Sequence, residues 1–88
     1  MTRKEAIELV DKIIDSATND ELLRISRLMR DRLYELSEFE QGDEIAHPAG
    51  NLYQAAQHCG QAAMHCDEAQ SLINLAIQQT EEVIGRTS

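Results

Sequence analysis

Apolar and small residues recur every three or four positions along three stretches of the chain, a spacing typical of amphipathic helices. The first stretch follows Thr2 and Glu5, whose separation is that of a helix-capping pair. The third stretch runs from Leu52 to Ile84 and repeats every seven residues. The pattern predicts an all-α protein with three helices, at about 3–17, 19–40 and 51–84.

The heptad repeat of the third stretch has an unusually small-sided seam, with alanine at most of its d positions. Such a seam lets two helix axes approach toward the short end of the 8–10 Å range. One continuous helix here would be about 50 Å long, and a copy running antiparallel around a two-fold axis would cover its seam. We therefore predict an antiparallel bundle completed by a homodimer. The predicted packing seam contains Ala55, Cys59, Ala62, Cys66, Ala69, Ile73, Ala76 and Val83.

One residue disfavours a continuous third helix. Gly60 is the only glycine between Leu52 and Ile84, and glycine inside a helix costs about 1 kcal/mol relative to alanine. A kink or a break of the third helix is therefore expected at Gly60, if anywhere.

Length and charge narrow the class of protein. The 88 residues predict a single helical domain, and the formal net charge of −8 favours a basic protein partner over phosphate backbones or anionic lipid surfaces. No apolar run reaches the roughly 18 residues that a membrane span requires. Because no secretory signal pattern opens the chain, we expect a cytoplasmic location.

An acidic segment follows the second predicted helix and is the first candidate for a recognition surface. Its carboxylates would steer a basic partner, and its apolar side chains would form the buried centre of the contact. The predicted partner-binding residues are Glu35, Glu38, Phe39, Glu40, Asp43, Glu44 and Ile45. The primary interpretation is a small non-enzymatic interaction module that acts as an inhibitor, regulator or chaperone of a basic protein.

The second predicted helix carries the main concentration of arginines, which supports a different class of function. Arginine side chains on one helix can position a protein on phosphates. The alternative interpretation is therefore a small nucleic-acid-associated regulator. It is the less favoured one, because acidic residues are interleaved with the arginines and the net charge is negative. The residues concerned are Arg24, Arg27, Arg30 and Arg32.

A repeated His-Cys pair, at residues 58–59 and 65–66, gives the third interpretation, a metal or redox sensor. On one helix the two cysteine Cα atoms would lie about 10 Å apart, beyond the roughly 7 Å that a disulfide tolerates. We therefore predict free thiols and no metal. The chain has no glycine-rich phosphate loop and no nucleophile elbow, so neither an enzyme nor a bound cofactor is expected.

Overall fold

The computed structural model describes residues 1–36, 45, 47–61 and 66–87. Within these ranges the chain is helical and contains no strand, which confirms the all-α prediction. The described helices are α1 (Arg3–Ser16), α2 (Asp20–Glu35), α3 (His47–Cys59) and α4 (Cys66–Thr87). In the part of the chain that the structure describes, no helix is both long and apolar enough to cross a membrane.

The first two helices begin where short polar side chains can accept hydrogen bonds from the unpaired N–H groups of a first turn. Thr2 caps α1 as predicted, and its hydroxyl accepts from the Glu5 N–H at 3.2 Å. The cap of α2 is Asn19, whose Oδ1 accepts from the Leu22 N–H at 2.7 Å. Because α2 ends at Glu35, the predicted end at residue 40 is too late for the described helix.

The predicted third helix is wrong as a single rod, because α3 ends at Cys59 and α4 begins at Cys66. Gly60 forms a turn whose N–H still bonds to the Ala56 carbonyl at 3.1 Å. The principal extents of the molecule are 37 × 18 × 17 Å, too short for a straight helix of about 50 Å. Folding back lets α3 and α4 cover each other's apolar faces within one chain.

Helix α3 begins earlier than expected, at His47 instead of residue 51. Pro48 is compatible with this start, because the first turn of a helix leaves its N–H groups without helical partners. Asn51 therefore lies inside the helix and does not cap it. Its Nδ2 donates to Gln79 Oε1 of α4 at 2.7 Å.

Consecutive helices run in opposite directions. Near the start of α1, Arg3 Nη1 donates to the carbonyl of Leu36, just after the end of α2, at 2.9 Å. The end of α3 meets the start of α4, because His58 Nδ1 lies 3.3 Å from Glu68 Oε2. With the contact between residues 51 and 79, this makes α3 and α4 an antiparallel hairpin.

Helices α2 and α4 also pack against each other, and they run in the same direction. At their starts, Gln70 Nε2 donates to Asn19 Oδ1 at 3.0 Å. At their far ends, Arg32 Nε lies 3.2 Å from Glu81 Oε1. Since α1 packs against α2 and α3, and α4 packs against the same two helices, the four described helices surround one core. Parallel neighbours within this arrangement were not part of the predicted antiparallel bundle.

The alanine row lies in the chain's own core. Ala55, Ala69 and Ala76 have no exposed surface and belong to one apolar cluster with residues of α1 and α2. The other seam residues follow the same orientation: Ile73 is fully buried, while Cys59, Cys66 and Val83 are half-buried against the cluster. Ala62 lies outside the described residues. The helices of the same chain therefore cover the seam, and the reason given above for a second copy does not hold for these residues.

Candidate functional site

The acidic segment is described at only two of its predicted positions. Glu35 is exposed, and its Oε2 accepts from Arg32 Nη1 at 2.8 Å. Ile45 is half-buried against the core, and its N–H donates to the Met1 carbonyl at 2.7 Å. Ile45 is therefore partly covered by the chain's own core, and its role in partner binding stays a prediction. The remaining predicted residues, Glu38, Phe39, Glu40, Asp43 and Glu44, lie outside the described part of the chain.

The arginines of α2 are engaged with carboxylates of the same chain. Arg24 pairs with Glu21 at 2.6 Å, and the hydrogen bond raises the pKa of the guanidinium while it lowers the pKa of the carboxyl. Arg32 pairs with two carboxylates, Glu35 at 2.8 Å and Glu81 at 3.2 Å. The contact with Glu35 is the main cause of the raised pKa of Arg32. These pairs reduce the positive charge that α2 can offer to a phosphate.

The other two predicted arginines differ in their surroundings. Arg30 Nη1 lies 3.4 Å from Asp11 Oδ1 of α1. Arg27 is exposed and helps to line a shallow, open depression on the outer face of α2. Because acidic side chains border the depression at both ends, its charge is mixed. The residues that line it are Asp20, Leu23, Arg24, Arg27, Leu28 and Asp31.

The α3–α4 hairpin has a different electrostatic character. Between residues 47 and 85 the sequence contains four carboxylate side chains and neither lysine nor arginine. Glu68, Leu75 and Glu82 are spaced by seven residues, so they follow one stripe of α4. All three are exposed, and 43% of the Leu75 surface is accessible. We call these three residues the acidic stripe.

The same hairpin carries a second exposed large side chain and a groove. Tyr53 on α3 keeps 52% of its surface accessible. An open groove where the end of α3 meets the start of α4 is lined by Gln54, His58, Asp67, Glu68, Ser71 and Leu72. The surface thus combines negative charge with exposed apolar groups, the combination that suits a cationic and partly apolar partner.

Neither Tyr53 nor Leu75 is among the residues predicted from the sequence to form a contact surface. Their heptad positions could have revealed them, because Tyr53 falls at b and Leu75 at c, away from the a/d seam. A large apolar side chain on the polar side of an amphipathic helix is the observation that points to a contact surface.

The break between α3 and α4 brings the two cysteines to one place. Cys59 and Cys66 are half-buried free thiols, and both border a cavity of about 10 Å³ together with Ser16, Thr18, Leu22, His58 and Gln61. Thr18 Oγ1 lies 3.1 Å from Cys66 Sγ. Burial raises the pKa of the Cys59 thiol, and the charge of a nearby Cys66 thiolate adds to the rise. The break in the helix therefore places both cysteines against one cavity, whereas one continuous helix would hold their Cα atoms about 10 Å apart.

A metal site based on the His-Cys repeat receives no support from the described residues. His58 lies beside the cysteine pair and approaches Glu68, but His65 is outside the described ranges. Within those ranges, no group of three or more His, Cys, Asp or Glu side chains could hold a metal ion. The cavity of about 10 Å³ is large enough for about one water molecule at most.

Relatives offer no independent guide to which of these surfaces is functional. Comparison of the chain with protein families, with curated proteins and with solved structures finds no match.

Proposed function

We propose that this protein is a non-enzymatic interaction module that binds a basic protein, as its inhibitor, regulator or chaperone. The observation that carries the proposal is the acidic stripe, in which an exposed leucine lies between two exposed carboxylates. Opposite charges would accelerate the encounter with a basic partner, and burial of Leu75 would contribute to affinity.

The charge distribution of the whole chain supports a basic partner over an acidic one. Seven of the eight lysine and arginine residues lie before residue 33, and the eighth is Arg86. Several of the arginines in the first group already pair with carboxylates of the same chain. The net charge of −8 is therefore concentrated outside α1 and α2, in the α3–α4 hairpin and in the acidic segment that precedes it.

The acidic segment remains a second part of the proposed contact surface. Glu38, Glu40 and Asp43 follow α2 in the sequence without an intervening basic residue. A partner that used both surfaces would contact carboxylates from the segment and from α4. We propose that it does so in the cytoplasm, where free thiols such as Cys59 and Cys66 persist.

The test is a pulldown from the native host with the tagged 88-residue chain, followed by affinity measurement with the recovered basic protein. Two double variants change the net charge equally, Glu68→Lys/Glu82→Lys on the acidic stripe and Glu8→Lys/Asp15→Lys on the exposed side of α1. We expect the stripe variant to lose much more affinity than the α1 variant. Equal losses would mean that only the overall charge matters and would refute the stripe as a site.

A third double variant, Glu38→Lys/Glu40→Lys, separates the acidic segment from the stripe. It carries the same net charge as the other two variants, so any further loss of affinity reports a local contact. Leu75→Ala tests the apolar contribution without a change of charge. We expect it to weaken binding mainly by faster dissociation, whereas the charge variants slow association.

The nucleic-acid alternative is distinguished by its dependence on salt. Binding through the α2 arginines would weaken steeply between low and physiological salt, because each neutralised phosphate releases counterions. Arg24→Ala/Arg27→Ala would then reduce the salt dependence. We expect no such binding, since Arg24 is already paired and Asp20 and Asp31 border Arg27.

The homodimer is a separate proposal, and the buried alanine row no longer motivates it. A dimer would have to use exposed side chains instead, for example Tyr53 or Leu75. Sedimentation equilibrium at several protein concentrations measures the oligomeric state directly. If Leu75→Glu dissociates a dimer, the second copy binds at the acidic stripe. The stripe would then be a dimer interface and no longer the proposed site for a basic partner.

A further inference from the structure

The two cysteines lie at adjoining ends of two helices that fold back on each other. Cys59 is the last residue of α3 and Cys66 is the first residue of α4. Because the helices are antiparallel, both residues lie at the same end of the hairpin. Both thiols border the same small cavity, together with Thr18 and His58. We infer that Cys59 and Cys66 are a reactive dithiol pair that a hydroperoxide converts into an intramolecular disulfide.

The surroundings of each thiol suit it to a different step. Cys66 Sγ lies 3.1 Å from the Thr18 hydroxyl, a distance at which the hydroxyl can donate a hydrogen bond to a thiolate. Burial raises the pKa of the Cys59 thiol, so Cys59 stays in its neutral form until it is called on to resolve the product. Cys66 is therefore the thiol that meets the oxidant, and Cys59 is the one that resolves the product.

The two steps balance with hydrogen peroxide as the oxidant. Cys66 releases its proton to water, and the thiolate attacks one peroxide oxygen. The O–O bond breaks, the departing hydroxide takes up a proton, and Cys66 becomes a sulfenic acid. Cys59 then loses its proton and attacks the Cys66 sulfur, so that the S–S bond forms as the S–O bond breaks. The second hydroxide leaves as water, and two thiols have been oxidised by two electrons while one peroxide has been reduced to two waters.

Access and spacing are both consistent with this chemistry. Both residues keep part of their surface exposed to solvent, where a small oxidant can approach them. Neither residue belongs to the fully buried cluster, although both pack against it. Both cysteines border the same small cavity at the adjoining ends of α3 and α4, so the two thiols can turn toward one common space.

The disulfide would join the ends of α3 and α4 beside the connection between α1 and α2. Thr18 of that connection contacts Cys66, and neighbouring Asn19 contacts Gln70 of α4. Oxidation would thus change the hydrogen bonding at one end of the molecule and fix the hairpin covalently. The acidic stripe begins at Glu68, two residues after Cys66.

The test uses the unaltered 88-residue chain, whose two cysteines are Cys59 and Cys66. The reduced protein is treated with hydrogen peroxide, and its free thiols, intact mass and proteolytic peptides are measured. We expect the loss of both thiols, a mass lower by two hydrogen atoms, and a peptide pair linked through residues 59 and 66. Dithiothreitol should restore both thiols. A product that keeps both thiols, or that is linked only between two chains on a non-reducing gel, would overturn the inference.

Two single variants assign the roles of the cysteines, after circular dichroism has shown that each is folded. Cys59→Ser should accumulate a sulfenic acid at Cys66 that dimedone traps. Cys66→Ser should lose its remaining thiol several-fold more slowly than Cys59→Ser does. If the two variants react at equal rates, or if Cys66→Ser reacts faster, the assigned order of attack is wrong.

Discussion

Replacing Ala76 with leucine would test whether α4 packs against the chain's own helices. Ala76 has no exposed surface and lies in the apolar cluster with Ala69 and Ile73. One turn later, the Thr80 hydroxyl donates to the Ala76 carbonyl at 2.8 Å. A leucine would add three carbon atoms at a site with no access to solvent. Such overpacking typically costs about 1–3 kcal/mol.

Equilibrium unfolding in urea, followed by circular dichroism, measures this cost. In a domain of this size, each kcal/mol also lowers the Tm by roughly 4–8 °C. Gln78→Leu is the matched control, because Gln78 is exposed on the same helix. We expect the control to change the free energy of unfolding by no more than about 0.5 kcal/mol.

The outcome also separates an intrachain core from an interface between two chains. If the alanine row were the dimer interface, Ala76→Leu would separate the subunits, and the stability of the wild type would rise with protein concentration. If the alanine row is an intrachain core, Ala76→Leu lowers the free energy of unfolding by the same amount at every protein concentration. An unfolding midpoint equal to that of the wild type would refute the reasoning.

Three further predictions concern single positions and can be checked by the same unfolding assay. Asn19→Ala should cost about 1 kcal/mol, since Asn19 Oδ1 accepts hydrogen bonds from the Leu22 N–H and from Gln70 Nε2. Asn19→Asp keeps an acceptor oxygen at this position and should cost less; equal losses would exclude the cap as the cause. Gly60→Ala should stabilise the protein by about 0.4–1 kcal/mol, because an added Cβ meets backbone atoms no closer than 3.5 Å, and a large destabilisation would show that the turn requires glycine. The raised pKa of Cys59 means that folding favours its neutral thiol. This contribution to the stability of the reduced protein should be complete below the usual thiol pKa and should be lost as the pH rises through the raised pKa of the folded state. Cys59→Ser should reduce this loss of stability at alkaline pH.

The identity of the buried residues could be predicted from the sequence better than the course of the chain. Heptad spacing correctly indicated that Leu52, Ala55, Ile73 and Ala76 face inward. The sequence also predicted the end of α1 to within one residue, because the capping residue Thr2 and the apolar face indicate the same helix. Periodicity reports which side of a helix is apolar, and it does so whether the covering surface belongs to the same chain or to another.

The same periodicity concealed the break in the third predicted helix. Cys59 and Cys66 are seven residues apart, so the heptad phase continues across the turn as if the helix were unbroken. The local cost of Gly60, about 1 kcal/mol, was visible in the sequence. The break is favoured by the stabilisation that comes from burying both halves of the seam against each other. A local sequence pattern does not show this stabilisation, because it arises between helices.

The candidate surfaces show a related limit. The sequence shows acidic residues interleaved with the arginines of α2, but it does not identify their partners. The structure pairs Arg24 with Glu21, and Arg32 with Glu35 and with Glu81 of α4. Contacts between helices depend on the fold-back of the hairpin, so they could not be read from a chain in which residues 51–84 form one rod.

The distance between residues 54 and 78 tests the hairpin most directly. Spin labels would be attached at Gln54→Cys and Gln78→Cys, two exposed positions, in a background with Cys59→Ser and Cys66→Ser. Electron paramagnetic resonance should then give a separation under about 20 Å, because packed antiparallel helices lie about 8–10 Å apart. A separation near 36 Å, the length of about 24 residues of continuous helix, would contradict the account.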